Sequence, residues 1–154
     1  MPASFRHAGA IVAIAIAAGG IAGAADAAAP LYARMGGEAV VSAVVSDTLD
    51  RVVADPRLNR PFDGSNIQRI KLLLTEQICD LAGGGCHYSG DSMRTVHAGH
   101  HISQAEFYGL VQVLRDSLRR HHVRLRERNE LLALLAPMER DVVEPTVAAR
   151  AAAR

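Results

Sequence analysis

The sequence predicts an all-α protein built as one domain. Apolar residues recur at spacings of three, four and seven along most of the chain, and no stretch alternates with the period of two that a half-buried strand requires. Pairs of residues typical of helix capping boxes and Gly-rich turns separate the periodic stretches. The length of 154 residues fits one domain, because single cores usually span roughly 100–200 residues.

The composition excludes several classes of protein. The chain has 17 Lys and Arg against 16 Asp and Glu, so it lacks the basic excess of an electrostatic nucleic-acid binder, and we expect no nucleic-acid partner. Two Cys are too few for a disulfide-dense scaffold. Aromatic residues make up 4% and Trp is absent, so the core must be mostly aliphatic.

Residues 1–27 have the pattern of a secretory signal peptide. Arg6 precedes an uncharged apolar run over residues 8–25, and small-x-small sites predict cleavage near 24/25 or 27/28. The alternative is a membrane anchor, since the run approaches the roughly 20 residues that span a bilayer. Its high Gly and Ala content favours cleavage. We therefore expect a periplasmic protein, associated with the membrane only if the leader is uncleaved.

Two helices are predicted in the first half of the mature chain. The first carries a Val-rich stripe from residue 40 to 53 and ends before Pro56, because the residue before a proline disfavours helical backbone. Ser65 and Gln68 have the spacing of a capping box for the second helix. That helix ends at the glycines of residues 83–85, where left-handed backbone costs little.

Two more helices are predicted after a short segment over residues 91–97. Ser103 and Glu106 form a second predicted capping box, and basic residues 119–122 suit the negative end of that helix's dipole. The last helix begins near Arg126, and Pro137 must end or kink it. Residues 146–154 are rich in Ala and Arg, and we expect a flexible tail.

The order of these signals resembles a truncated haemoglobin of group I. The resemblance spans about residues 31–143 and rests on LYARMGG at 31–37, ADPRL at 54–58, FDG at 62–64, GG at 83–84, YSG at 88–90, MRTVHAG at 93–99 and APM at 136–138. It implies a globin domain over residues 28–145 with a two-over-two helical sandwich around one haem b. It also implies a diatomic gas as ligand, a monomer or weak dimer, and a possible reductase partner.

The resemblance places His97 at the family's proximal position, where the imidazole binds the haem iron. The chemistry agrees, because neutral imidazole is a good iron ligand and leaves the opposite face open for a gas. Phe62 matches an aromatic that packs on the porphyrin, although ordinary core packing would also explain it. Arg94 is a candidate partner for a haem propionate, with a solvated charge as the alternative. The predicted haem contacts are Phe62, Ile70, Leu73, Leu74, Met93, Arg94, Val96, Ile102 and Phe107.

The predicted distal pocket departs from the family pattern. Group I members usually place Tyr and Gln where this chain has Leu49 and Leu74, with Ile70 one turn earlier. A missing donor forfeits about 1.5–3 kcal/mol of charge-assisted hydrogen bonding to oxygen. We therefore expect oxygen to be held roughly tenfold to a hundredfold less tightly, in a pocket equally suited to CO or NO. The nearby polar residues Thr48, Thr75 and Gln77 could turn inward, but helical spacing favours an outward face.

Cys79 and Cys86 are candidates for a disulfide. A continuous helix would separate them by about 10 Å, too far for a bridge, but the intervening glycines let the chain fold back. An oxidising compartment favours the bridge, and two free thiols are the alternative. Cys86 does not belong to a covalent haem motif, because Cys-x-x-Cys-His spacing is absent.

These observations favour a periplasmic haem protein that reversibly binds oxygen, CO or NO as a carrier, scavenger or sensor, with no catalytic residue assigned. The alternative is an enzyme, such as a nitric oxide dioxygenase or a peroxidase-like protein, or an electron-transfer protein. The apolar distal side disfavours peroxide chemistry, which needs an acid–base residue. His100 and His101 are expected to form an exposed turn pair. A zinc module using His87, His97, His100 and His101 is the third interpretation.

Overall fold

The computed structural model describes residues 29–144, and this part of the chain consists of helices and turns without a strand. The predicted leader and tail lie outside the described residues. No helix within residues 29–144 is long and apolar enough to cross a membrane. Two single 3-10 turns occur at Arg60–Phe62 and Ala136–Met138. The α-helices are α1 (Leu31–Met35), α2 (Gly37–Ala54), α3 (Ile67–Leu81), α4 (Met93–His97), α5 (Gln104–Arg120), α6 (Leu125–Leu135) and α7 (Glu139–Val142).

Two helix pairs form the architecture. Helix α2 packs against α3, α5 packs against α6, and the pairs meet where α2 contacts α5. The buried stripe of each long helix faces this junction, as amphipathic helices require. The all-α sandwich expected from the sequence is confirmed. The side chains that are buried there include Val44, Val45, Leu49, Ile78, Leu118 and Leu131.

The helix boundaries confirm one predicted capping box and correct the other. Ser103 accepts from the backbone N–H of Glu106, whose carboxylate accepts from the N–H of Ser103. At α3, however, the cap is Asn66, whose side chain accepts from the N–H of Arg69. The prediction of Ser65 was wrong because its own N–H donates to Phe62 in the preceding turn, which leaves Asn66 as the first residue able to cap.

A buried ion pair fastens α1 to α6. The guanidinium of Arg34 lies 3.1 Å from the carboxylate of Glu127, and these side chains are 4% and 2% exposed. Arg34 also binds Glu130 at 2.6 Å. The charges are paired, as burial of ionised groups demands.

The segment between α3 and α4 is attached to the helices at its start. Cys79 on α3 and Cys86 in the loop form a disulfide. Gly84 lies inside this loop, and a Cβ there would come within 2.7 Å of the Tyr32 ring. Glycine therefore allows the loop to pack closely on α1.

Candidate functional site

A cavity of about 350 Å³ lies between the α2–α3 pair, the long helix α5 and the short helices α4 and α7. Its size falls in the range of roughly 300–1,000 Å³ typical of small-molecule sites. The structure brings all but one of the predicted cofactor and distal residues to its wall. Those residues are Leu49, Phe62, Ile70, Leu73, Leu74, Met93, Val96, His97, Ile102 and Phe107.

His97 is the candidate metal ligand of this wall. Its Nδ1 lies 2.7 Å from the carbonyl oxygen of Met93, one turn earlier on α4. Because a carbonyl only accepts, Nδ1 carries the proton and Nε2 keeps its lone pair. Burial lowers the pKa of His97 below its ordinary value, against the hydrogen bond to Met93, and nearby His100 lowers it further. The imidazole is therefore held neutral and oriented, as a metal ligand must be.

Arg94 does not line the cavity. Its guanidinium pairs with the carboxylate of Asp141, and its side chain is 79% exposed. Residues three apart share a helical face, so the direction of the Arg94 side chain comes from its pairing with Asp141 on α7 and not from its position along α4. The propionate role expected for Arg94 stays a prediction.

Two polar residues expected to face outward are buried in the cavity wall. Thr48 is fully buried, and its hydroxyl donates to the carbonyl of Val44 at 2.7 Å. Gln77 is 8% exposed and also lines the cavity. For both residues the outward prediction was wrong, because the cavity wraps around more of α2 and α3 than the apolar stripe alone indicates. Thr75 is half-buried and donates to the carbonyl of Lys71.

His100 and His101 are exposed, as expected for a turn pair. His100 reaches the edge of the cavity, and His101 Nδ1 lies 3.0 Å from the carboxylate of Glu144. Arg60 holds the turn by donating to the carbonyls of both histidines and to the carboxylate of Glu106. The hydrogen bond from Arg60 lowers the pKa of Glu106 to about 2.

Several wall residues were not predicted as part of the site. Leu110 and Leu114 belong to the α5 stripe that carries Phe107, and the spacing of three and seven along one helix could have identified them. Met138 and Val142 carry no such signal, because they reach the cavity only after Pro137 redirects the chain.

Comparisons with known proteins now identify the family. Residues 30–144 match the family described as bacterial-like globin. A group 1 truncated haemoglobin of Mycolicibacterium paratuberculosis is 32% identical over 114 residues, covering 74% of this chain and 84% of the relative. The chain belongs to the group 1 truncated haemoglobins. This is a globin family that binds gases at a haem.

Solved truncated haemoglobins have the same fold. The protein of Tetrahymena pyriformis in its Fe(III) form superposes with a TM-score of 0.72 at 24% identity, covering 76% of this globin and 100% of that chain. A 2/2 haemoglobin from Synechococcus, described in the cyanomet state with covalently attached haem, has a TM-score of 0.70 at 25% identity and covers 75% and 98%. The two-over-two arrangement is therefore shared.

The residues of this globin fit a haem. The cavity wall is mostly aliphatic, as the porphyrin face requires, and it contains one half-buried histidine that is hydrogen-bonded through Nδ1. Histidines that ligate metals commonly donate their other ring N–H to a backbone carbonyl. By contrast, residues 29–144 contain no group of three or more His, Cys, Asp or Glu that could hold a metal ion, which leaves the zinc interpretation without a site in this part of the chain.

Proposed function

We propose that this truncated haemoglobin holds haem b and reversibly binds a diatomic gas, namely oxygen, CO or NO, as a periplasmic carrier, scavenger or sensor. The observation that carries the proposal is the orientation of His97 in the cavity wall. Its Nδ1–H donates to Met93 at 2.7 Å while its ring lines an apolar cavity of about 350 Å³. The opposite wall supplies no histidine within the described residues, so the gas side stays open.

Each part of the wall has a separate task in this proposal. When bound, the haem supplies an iron with a coordination position for a gas. His97 would ligate the iron, and the hydrogen bond to Met93 would fix the orientation of its ring. Leu49, Ile70 and Leu74 would exclude water from the gas side, since they present no donor or acceptor in their side chains.

The periplasmic location is supported by two independent features. The leader pattern predicts export, and the bridge between Cys79 and Cys86 is of a kind that persists in oxidising compartments. Amino-terminal sequencing of protein from a periplasmic extract tests the location. We expect a start after residue 24 or 27, and an unprocessed chain in the cytoplasm would contradict it.

The haem proposal is tested by absorption spectra of the ferric, ferrous and CO-bound protein. We expect an intense Soret band, and His97→Ala should weaken or alter it because the iron loses its protein ligand. His87→Ala is the matched control, since this exposed loop histidine lies outside the cavity wall. A wild-type protein that remains colourless when supplied with haem would refute the proposal.

The carrier and enzyme alternatives are separated by rapid mixing. The oxygenated protein is mixed with NO in a stopped-flow spectrometer, and the rate of conversion to the ferric form is measured. In a carrier or sensor, the conversion to the ferric form should be slower than the release of oxygen. Rapid conversion with stoichiometric nitrate would instead assign nitric oxide dioxygenation.

A further inference from the structure

Gln77 is a buried amide in a cavity wall that is otherwise largely apolar. Its Nε2 lies 3.3 Å from the Sδ of Met93 and 3.8 Å from the Sδ of Met138. Thioether sulfur is a weak acceptor. The side chain is only 8% exposed, so water cannot easily replace these weak partners. Because its acceptors are weak, the amide N–H can exchange them for a stronger acceptor at little cost.

Gln77 lies on the same stripe of α3 as the residues assigned to the gas side. Ile70, Leu73, Leu74 and Gln77 are spaced by three, four and seven and all line the cavity, so they form one helical stripe. Gln77 follows Leu74 by one turn, about 4.5 Å along the axis. Its unbranched side chain extends from this stripe to Met93 on α4, the helix that carries His97. The amide therefore reaches between the two walls.

The other polar side chains of the wall are bonded within the protein or reach solvent. The hydroxyls of Thr48 and Tyr88 each donate to a backbone carbonyl. Glu106 is paired with a guanidinium and closes a helix cap. Ser65 is half-buried and His100 is exposed. Gln77 is thus the best-placed buried donor of this wall.

We propose that Gln77 is a specificity-determining residue of the gas site, whose amide leaves the two thioethers and donates a hydrogen bond to the bound gas. It would supply the donor that Leu49 and Leu74 do not provide. The inference rests on the proposed haem function. Because oxygen gains more negative charge on binding than CO does, the amide should favour oxygen selectively.

The test uses Gln77→Met in the haem-loaded protein, since Met is unbranched and similar in length but carries no N–H. We expect the C–O stretching band of the CO-bound form to move to higher wavenumber, because a positive dipole near the ligand is lost. Oxygen should dissociate about tenfold faster, with a smaller change for CO. Infrared spectroscopy and stopped-flow mixing measure these quantities.

Thr75→Val is the matched control on the same helix. The Thr75 hydroxyl donates to the carbonyl of Lys71, and its side chain does not line the cavity. This variant should retain the wild-type C–O band and oxygen dissociation rate. A change in Thr75→Val equal to that of Gln77→Met would show that α3 was perturbed generally and would overturn the assignment.

Gln77→Asn is the second variant, for use if Gln77→Met does not fold or take up haem. Asn keeps the amide but is one methylene shorter, so its donor should fall short of the gas, and oxygen should again dissociate faster. Wild-type values in the variant that folds would overturn the role of Gln77. Absence of a Soret band in the wild-type protein would instead refute the haem proposal, so the two failures are distinguishable.

Discussion

The two ends of the helical sandwich are built from similar aliphatic residues but are packed differently. At the packed end, formed around Val44, Ile78, Leu118 and Leu131, the remaining gap has no room for a water molecule. At the hollow end, the walls around His97 enclose about 350 Å³. Hydrophobic composition therefore does not determine whether a region of this protein fills its own core.

The difference follows from the length of the elements. Long helices α2, α3, α5 and α6 cross at the packed end and bring facing stripes together. The hollow end has α2, α3 and α5 along its sides, but it is closed by α4, which has five residues, and by loops and single turns. Short elements contribute too few side chains to fill the space, and an unfilled wall loses the dispersion contacts of close packing. A flat apolar cofactor restores them.

The largest expected effect is a difference in lost stability between two leucine-to-alanine substitutions, one at each end. Leu118→Ala at the packed end should destabilise the haem-free protein by about 3 kcal/mol, because a fully buried leucine leaves a new void. Leu74→Ala should cost about 1 kcal/mol, since this half-buried side chain already borders a cavity. Urea unfolding measures both. Equal losses of unfolding free energy in the two variants would contradict the difference in packing between the two ends.

Removal of the disulfide should have the next largest effect. Replacing both Cys79 and Cys86 with alanine should lower the free energy of unfolding by about 2 kcal/mol, as expected for a short closed loop. Thermal unfolding with and without reductant provides the check. Reductant should destabilise the wild-type protein and leave the double variant unchanged, and a wild-type protein insensitive to reductant would contradict the prediction.

A smaller effect is expected from Glu106, which fastens the mouth of the hollow end. Arg60 lowers the pKa of this carboxyl from 4.5 to about 2 in the folded protein. Because the folded-state pKa is the lower one, the stabilisation is complete above about pH 4.5 and is lost as the pH falls toward 2. In Glu106→Gln this part of the acid dependence should disappear from unfolding curves. If the unfolding free energy of the wild-type protein and of the variant fell equally with pH, the lowered pKa of Glu106 would be contradicted.

Much of the fold was predictable because it depends on local patterns. Apolar periodicity identified the long helices, and the Ser103 capping box set the start of α5 correctly. The same reasoning failed at α3, where the backbone N–H of Ser65 is used in the preceding turn and the side chain of Asn66 caps the helix instead. The short helices α1 and α7 carry too few residues for a periodic signal and form mainly by packing on longer neighbours.

The candidate site was predictable wherever the aligned motif fixed both residue and orientation, as at His97. Arg94 lies in the same motif, but its direction is set by Asp141, which is 47 residues away. Gln77 and Thr48 turn inward because of how α2 and α3 are rotated against the rest of the protein. Such rotations depend on tertiary packing, and a single helix's sequence pattern does not contain them.

The carboxylate of Glu144 lies 2.7 Å from the backbone nitrogen of Gly99 and also contacts His101. The turn that follows His97 is thus held by a residue 45 positions further along the chain. Slow exchange of the Gly99 amide proton would therefore report on a side chain distant in sequence. That single proton offers a spectroscopic view of how firmly the helix that carries His97 is held, without any label at the cavity.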